Sequence, residues 1–409
     1  MFMFGSSRQE GSPSKRQRPN SSDPNKTPTA QDKLSNLMLA SQDSQSERAS
    51  SLSSISQRSG KSSPTKGIAA LRDEKLVDYA AFSGPVRVPQ DLSKVVRDVR
   101  RLAGAQGIVT SQDAEAFRNT TLDLGEFRDD LEYIPTLVDP SEARSNLGQL
   151  PSVDRLVEIW QEATYCERNA LPEAHWNSAV HFPILNEALR NARCNNFEEH
   201  QTEQQFRVKP ANISTINVAK RYIPLTSRHR HNKRIDFCIY LDVAQDSAFE
   251  EDIRSKVATS VHDSINHIEA PWLHRLPMCI GIETKKTGED WHAALEQMTI
   301  WLSAHWKRLG ELAVDLDSLP FLPGVIIQGH DWFFVAATQG RLLNSGGRQT
   351  VIWSKVPIGS TDGLGGICQI IAILQYLARW SAEFYYPWFH QAILGNDSTE
   401  PTSGFVTTG

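Results

Sequence analysis

Several things are scarce in this chain, and each scarcity narrows what it can be. Five cysteines are spread over 409 residues, at Cys166, Cys194, Cys238, Cys279 and Cys368. None forms a CxxC pair and the count is odd, which excludes a disulfide framework or a zinc-ribbon site and fits a reducing, intracellular setting. No GxxxxGK[ST] loop and no GxGxxG turn occurs, so a nucleotide-binding reading has no support. Long apolar runs are missing too. The most apolar stretch, "GLGGICQIIAILQYLARW", is interrupted by Gln369 and Gln375 and reads as a buried helix, so no membrane partner is expected. "MFMFGSSRQE" lacks the long apolar core of a signal peptide.

Aromatics are almost absent from the first 66 residues, which hold only Phe2 and Phe4 among abundant Ser, Pro, Gln and Lys. Such a segment buries too little apolar surface to offset its ordering entropy. Residues 1–67 are therefore expected to be a disordered, Ser-rich basic tail, and 396–409 a frayed C-terminal tail. The first 66 residues carry ten Lys/Arg against five Asp/Glu, so the tail is net +5 and the rest net −10 in a chain of total −5. A basic tail on an acidic body suits a nuclear or nucleic-acid-associated protein. The cluster Lys15, Arg16, Arg18 fits a nuclear import signal or, equally, a solvated tail. "SSPTK" has the form of a proline-directed kinase site.

What is present is a periodic body. In 68–150 the pattern is broken and mostly helical, an expected N-terminal extension. "DLSKVVRDVRRLAG" spaces Leu92, Val95, Val96, Val99 and Leu102 as one helix face, with Gly104 as its stop. From 151 to 395 the order is helix, strand, strand, helix, strand, strand and a last apolar helix. "SVDRLVEIWQEATYCERN" opens on a cap signal. "PEAHWNSAVH" reads as a helix with Pro172 and Glu173 in its first turn. Residues 235–243 alternate as a strand that carries Asp236. "CIGIETKK" is a second strand. "EDWHAALEQMTIWLSAHWKRLG" is an amphipathic helix with Trp291, Ala294, Leu295, Met298, Trp301, Leu302 and His305 on one face and Gly310 as its stop. "LPGVIIQGHDWFFVAAT" reads as a hairpin, and "QTVIWSKV" as a further strand.

"CIGIETKK" carries the chemistry. Side chains alternate along a strand, so Glu283 and Lys285 share one face of an otherwise apolar element. A carboxylate and an ammonium held side by side either form a structural ion pair or serve a reaction, and buried charges persist only when paired or metal-bound. Mg²⁺ takes oxygen ligands and keeps several waters, so Asp236 and Glu283 on neighbouring strands suffice for one ion, with help from the Thr284 carbonyl. Metal-assisted phosphodiester hydrolysis needs a Lewis acid, a water and positive charge near the phosphate. The basic run 228–234, including Arg228, Arg230, Lys233 and Arg234, leads into the Asp236 strand and suits phosphate tracking or, as readily, a solvated loop. His292 and His305 lack partners at ligand spacing and read as structural or surface residues. Trp332 is expected to pack rather than stack on a base.

An Asp in one core strand followed by Glu-x-Lys in the next resembles the PD-(D/E)XK nuclease superfamily, and in particular a fungal group of PD-(D/E)XK nuclease-like proteins. The matching segments are "EAHWNSAVHFPIL", "KRIDFCIYL", "IGIETKK", "ALEQMTIWL" and "IGSTDGLGGICQIIAILQYLARW", spread over roughly the last 250 residues. The resemblance implies a three-layer α/β, restriction-endonuclease-like core with a mixed sheet of four or more strands. It implies Asp236 and Glu283 as metal ligands for Mg²⁺ or Mn²⁺, Lys285 beside them, and Glu173 as the acid of the first core helix. Gln297 and Trp301 resemble a Gln-xxx-Tyr element, with Trp in place of Tyr. Ile235 stands where the family name has Pro. The implied function is a Mg²⁺-dependent nuclease acting on DNA. The alternative is an inactive nuclease-like module that binds nucleic acid or protein.

Overall fold

The structure, a computed structural model, describes residues 64–141, 143–195, 206–224, 233–243, 247–260, 262–344 and 346–395. The expectations for the tail up to residue 63, for Arg228 and Arg230, and for 396–409 lie outside the described residues.

Helices α1 (Pro64–Asp73), α2 (Gln90–Ala103), α3 (Ser111–Asn119) and α4 (Phe127–Tyr133) form from the first part of the chain, with strand β1 (Val77–Ala81) between the first two. On α2 the buried residues include all five of the predicted apolar positions, and Gly104 is the C-cap. Next come α5 (Val153–Arg168), whose Ser152 side chain accepts from the Arg155 amide, and a helix that starts at Glu173 behind Pro172. That helix runs as α6 (Glu173–Trp176), a π-turn (Asn177–His181) and α7 (Phe182–Arg190). The widened turn sits just before Pro183, which has no N–H for a regular helical bond and crowds the preceding turn.

Strands β2 (Arg207–Asn212), β3 (Phe237–Asp242) and β4 (Met278–Lys285) are consecutive and antiparallel, with α8 (Ser247–Ala258) between β3 and β4. Helix α9 (Trp291–Leu312) then carries the chain over to β5 (Leu322–Gln328), which pairs parallel to β4. A parallel pair needs such a crossover. The hairpin β5–β6 (Asp331–Leu342) and strand β7 (Arg348–Ser360) follow, then α10 (Leu364–Trp380) and α11 (Tyr386–Phe389), separated by a second π-turn. The seven-stranded mixed sheet has the order β1-β7-β6-β5-β4-β3-β2, with β1 parallel to β7 at its edge.

Helix α9 covers one sheet face, with α1 packed against it, while α2, α7 and α10 cover the other. This is the expected three-layer α/β core. Paired glycines let α9 approach closely. Gly281 on β4 is opposite Gly324 on β5. A Cβ at Gly281 would lie 2.5 Å from Trp301 Nε1, and one at Gly324 would lie 3.0 Å from Met298 Sδ. The helix does not stop at Gly310 but continues to Leu312, because Gly310 keeps helical backbone and Ala313 makes the exit. No described helix is long and apolar enough to cross a membrane.

Candidate active site

Strand β4 is buried along its whole length except at Lys285, where it emerges at the C-terminal end. Glu283 is fully buried. Its Oε1 accepts from Lys285 Nζ at 2.5 Å, and the same ammonium donates to the Thr284 carbonyl at 2.7 Å. Glu173, the first residue of α6, brings its Oε2 to 3.7 Å from Lys285 Nζ. The ammonium thus faces three oxygens supplied by two elements far apart in sequence. The shared strand face read from the period of two is what the structure has.

Asp236 lies one residue before β3 and is fixed through its backbone and one carboxylate oxygen. Its N–H donates to Ile282 O, its carbonyl accepts from Ile213 N–H, and its Oδ2 accepts from both Thr284 N–H and Thr284 Oγ1 at 2.9 Å each. Both Asp236, through its N–H, and Phe237, by strand pairing, meet Ile282, so the pairing departs from a regular ladder at this point. The Thr284 side chain as the holder of Asp236 is absent from the sequence reading, which considered only its carbonyl. A Thr two residues before Lys286 in a strand carries no distinctive signal of that kind.

Burial pushes the Glu283 carboxyl well above the usual carboxylate range, and Asp236 and Glu173 add to the rise while Lys285 opposes it. Burial likewise raises Glu173, with Lys285 again opposing and Asp236 and Glu289 reinforcing. For Lys285, burial works against the charge, but Glu283, Glu173 and Asp236 outweigh it and hold the ammonium above its ordinary pKa. Three acids and one base therefore form a single electrostatic unit in which the ammonium is firmly protonated.

The fit of a metal ion can be tested on the donors. Among the described residues no group of three or more His, Cys, Asp and Glu side chains is arranged to hold an ion. A set of two carboxylates and a carbonyl remains, all hard oxygen donors. Glu283 Oε2 is buried and has no hydrogen-bond partner. An orphaned carboxylate oxygen in a dry site is costly unless a cation meets it. Asp236, Glu283 and the Thr284 carbonyl thus fit a hard divalent cation, provided that Lys285 gives up two of the oxygens it now contacts.

The other predicted residues are placed differently. Lys233 Nζ is 3.0 Å from Glu296 Oε1, a buried acid on α9, so its charge is engaged within the fold. Arg234 is exposed, and its carbonyl accepts from Gln297 Nε2 at 3.1 Å. Gln297 therefore braces the segment entering Asp236. Trp301 lies against Gly281 and edge-on to His267, filling the helix–sheet interface. Asp242, at the far end of β3, pairs with Lys209 at 2.5 Å. Trp332 is buried, as expected.

A buried network behind the site was not anticipated. His181, in the π-turn, meets Asn177 Oδ1 through Nδ1 and the Gly329 carbonyl through Nε2, both at 2.9 Å. Gly329 in turn donates its N–H to the Lys285 carbonyl. Burial pushes His181 down to about 4. Nε2 faces a carbonyl and must donate, so a neutral imidazole accepts at Nδ1 and calls for the Asn177 amide turned end for end, its NH₂ in place of Oδ1. The helix that carries Glu173 is tied in this way to the strand end that carries Lys285.

A family model for the PD-(D/E)XK nuclease superfamily matches residues 123–386. No curated protein and no solved structure matches the chain. The matched span takes in Glu173, Asp236, Glu283 and Lys285, the same residues that the fold gathers at the end of β4. With that span covering well over half its length, the chain belongs to the PD-(D/E)XK nuclease superfamily.

Proposed function

We propose that this protein is a metal-dependent nuclease that hydrolyses phosphodiester bonds in nucleic acid, DNA in the first instance, with Mg²⁺ or Mn²⁺ as its cofactor. The observation that carries the reading is the dry Glu283–Lys285 pair beside Asp236, with Glu283 Oε2 left without a partner. A divalent cation at this site would supply Lewis acidity to the phosphodiester and lower the pKa of the attacking water. Asp236, Glu283 and the Thr284 carbonyl would hold it. Lys285 keeps its proton, so its role is that of a donor: it orients the water and offsets charge that develops on the phosphate. Glu173 steers the ammonium from the helix side and is a positioning group.

The assay is cleavage of mixed DNA and RNA substrates with Mg²⁺, Mn²⁺ or chelator. Wild type is compared with Lys285→Ala and with a paired Asp236→Ala, Glu283→Ala variant. Cutting that needs metal is expected, with both variants folded and reduced by at least about a hundredfold, the scale for losing one preorganised charged group. Cutting by the paired variant at the wild-type rate would refute the assignment.

A second reading has its own support. Lys285 is neutralised by its neighbours, and no group of three described acids is arranged to hold an ion, as suits a nuclease-like module that binds nucleic acid or protein without cutting. Retained DNA binding with no cutting under any metal would select it. The basic tail agrees with a nuclear location for either reading.

A further inference from the structure

We propose that Trp291, Phe333 and Lys355 form a stacking subsite for a base of the nucleic-acid strand that passes the carboxylate site. The inference rests on the nuclease reading above and says where that strand is gripped.

Sheet register places the cluster. Glu283 on β4 is paired with Ile326 on β5, and Ile326 with Phe333 on β6. Residues paired directly across strands project from the same face, and strands are about 4.8 Å apart, so Phe333 lies roughly 10 Å from Glu283 on its own side of the sheet. Pro357 on β7 is opposite Phe333, and Lys355 lies in the irregular stretch just before it, where its ammonium reaches the Phe333 ring on that face. Trp291 opens α9, the helix on that face, six residues after Lys285. Phe333 is thus two strands from Glu283 and Lys355 three, on the sheet face that α9 covers, and Trp291 meets both of them there.

Their mutual geometry is that of an aromatic corner around a cation. The Trp291 and Phe333 rings meet edge to face, with centroids 5.2 Å apart at 79°. Lys355 Nζ lies 4.4 Å from the Trp291 ring centre and 4.3 Å from that of Phe333. Neither ring is buried, although Trp332 and Phe334 on either side of Phe333 are fully so. Among the described residues no carboxylate comes within the 4 Å of an ion pair with Lys355, whereas Lys286 has Glu289 and Lys233 has Glu296. The Lys355 charge is held by ring faces alone and stays available to an incoming anion.

The local acids weigh on the choice of ligand. Glu289 and Asp290 are each paired, with Lys286 and His292, while Asp331, two residues before Phe333, is exposed. That balance is too nearly neutral for a phosphate-tracking groove. A stacked base with one phosphate at Lys355 needs only ring surface and a single cation, and single-strand binding uses that combination.

The test is binding of a single-stranded DNA oligonucleotide containing 2-aminopurine to the full-length protein in chelator, read by anisotropy and by 2-aminopurine fluorescence. Trp291→Ala should weaken binding about fivefold to a hundredfold, the range for one stacked base, and abolish quenching of the probe. Trp291→Phe should retain most of both. Lys355→Gln, at an exposed position, should lower the slope of log affinity against log salt by about 0.7, one phosphate contact on a single strand. If wild type binds but Trp291→Ala and Lys355→Gln match it in affinity, quenching and salt slope, the subsite is refuted and the nuclease reading stands. Wild type that cuts duplex but does not bind the single strand refutes the subsite as well. Wild type that neither binds nor cuts any nucleic acid removes the nuclease reading and the subsite together.

Discussion

Lys285 and Glu283 meet at 2.5 Å where water hardly reaches, and each makes the other tolerable. Removing one partner of such a pair leaves an uncompensated buried charge, while removing both can be close to neutral. Lys285→Met and Glu283→Gln should therefore each destabilise the fold, and the double variant should be more stable than the sum of the two losses predicts. A coupling of about 1–3 kcal/mol is expected from urea unfolding of the full cycle. Additive losses would mean that the two charges do not support each other in solution. At this scale the sequence was legible where the residues are close. The period of two puts Glu283 and Lys285 on one face with no knowledge of the fold. Lys233 and Glu296, 63 residues apart, gave no such sign, and the lysine read as a phosphate contact is engaged by a buried acid.

Helix α9 and the strands beneath it show what happens to histidines that a helix carries inward. His305 stacks on His267 at 4.8 Å, and both are buried. Burial lowers His267 well below its usual range, with His305 reinforcing, and takes His305 down to about 3. His181, in the π-turn, is similarly held at about 4. The unfolded chain binds protons at these residues near pH 6.5, and the folded chain refuses them until the pH is far lower. Stability is thus full above about pH 6.5 and falls as the pH drops toward the folded values, by up to about 1.4 kcal/mol per histidine per pH unit. Urea midpoints at pH 7, 6 and 5 should fall steeply for wild type and less steeply for His305→Leu. Equal slopes would show that His305 accepts its proton without cost. The helix itself was readable from its apolar spacing. The π-turns ahead of Pro183 and Pro387 were not, because the pattern of apolar positions does not record one extra residue in a turn.

On the scale of the whole molecule, the family match begins at residue 123, yet the sheet does not. Strand β1 pairs with β7 from Val77↔Thr350 to Ala81↔Ser354 and forms the sheet's edge. Helix α1 is equally embedded: a Cβ at Gly67 would fall 2.5 Å from the Glu296 carboxylate, the partner of Lys233. A chain beginning at residue 83 would lose both and leave the β7 edge unpaired, which invites edge-to-edge association. It should melt well below a chain beginning at residue 64 and should self-associate in sedimentation velocity. A monomer with an unchanged melting temperature would show β1 to be dispensable.

The sequence by itself determined that β4 carries an acid and a lysine on one face, that Asp236 belongs to the segment forming β3, although the strand itself starts one residue later, that α5 is a capped helix, and that α2 and α9 are helices with the apolar faces read from their spacing. All of this is periodicity or capping within one element, where neighbours along the chain are neighbours in space. Only the tertiary structure decided that Thr284 holds Asp236, that Glu173 reaches Lys285, that Gln297 braces the Arg234 carbonyl at the entry to Asp236, and that Trp291, Phe333 and Lys355 meet on one surface. Those contacts depend on strand register and on how closely a helix settles on paired glycines. Both are set by packing between segments far apart in the chain, and a local pattern has no way to encode them.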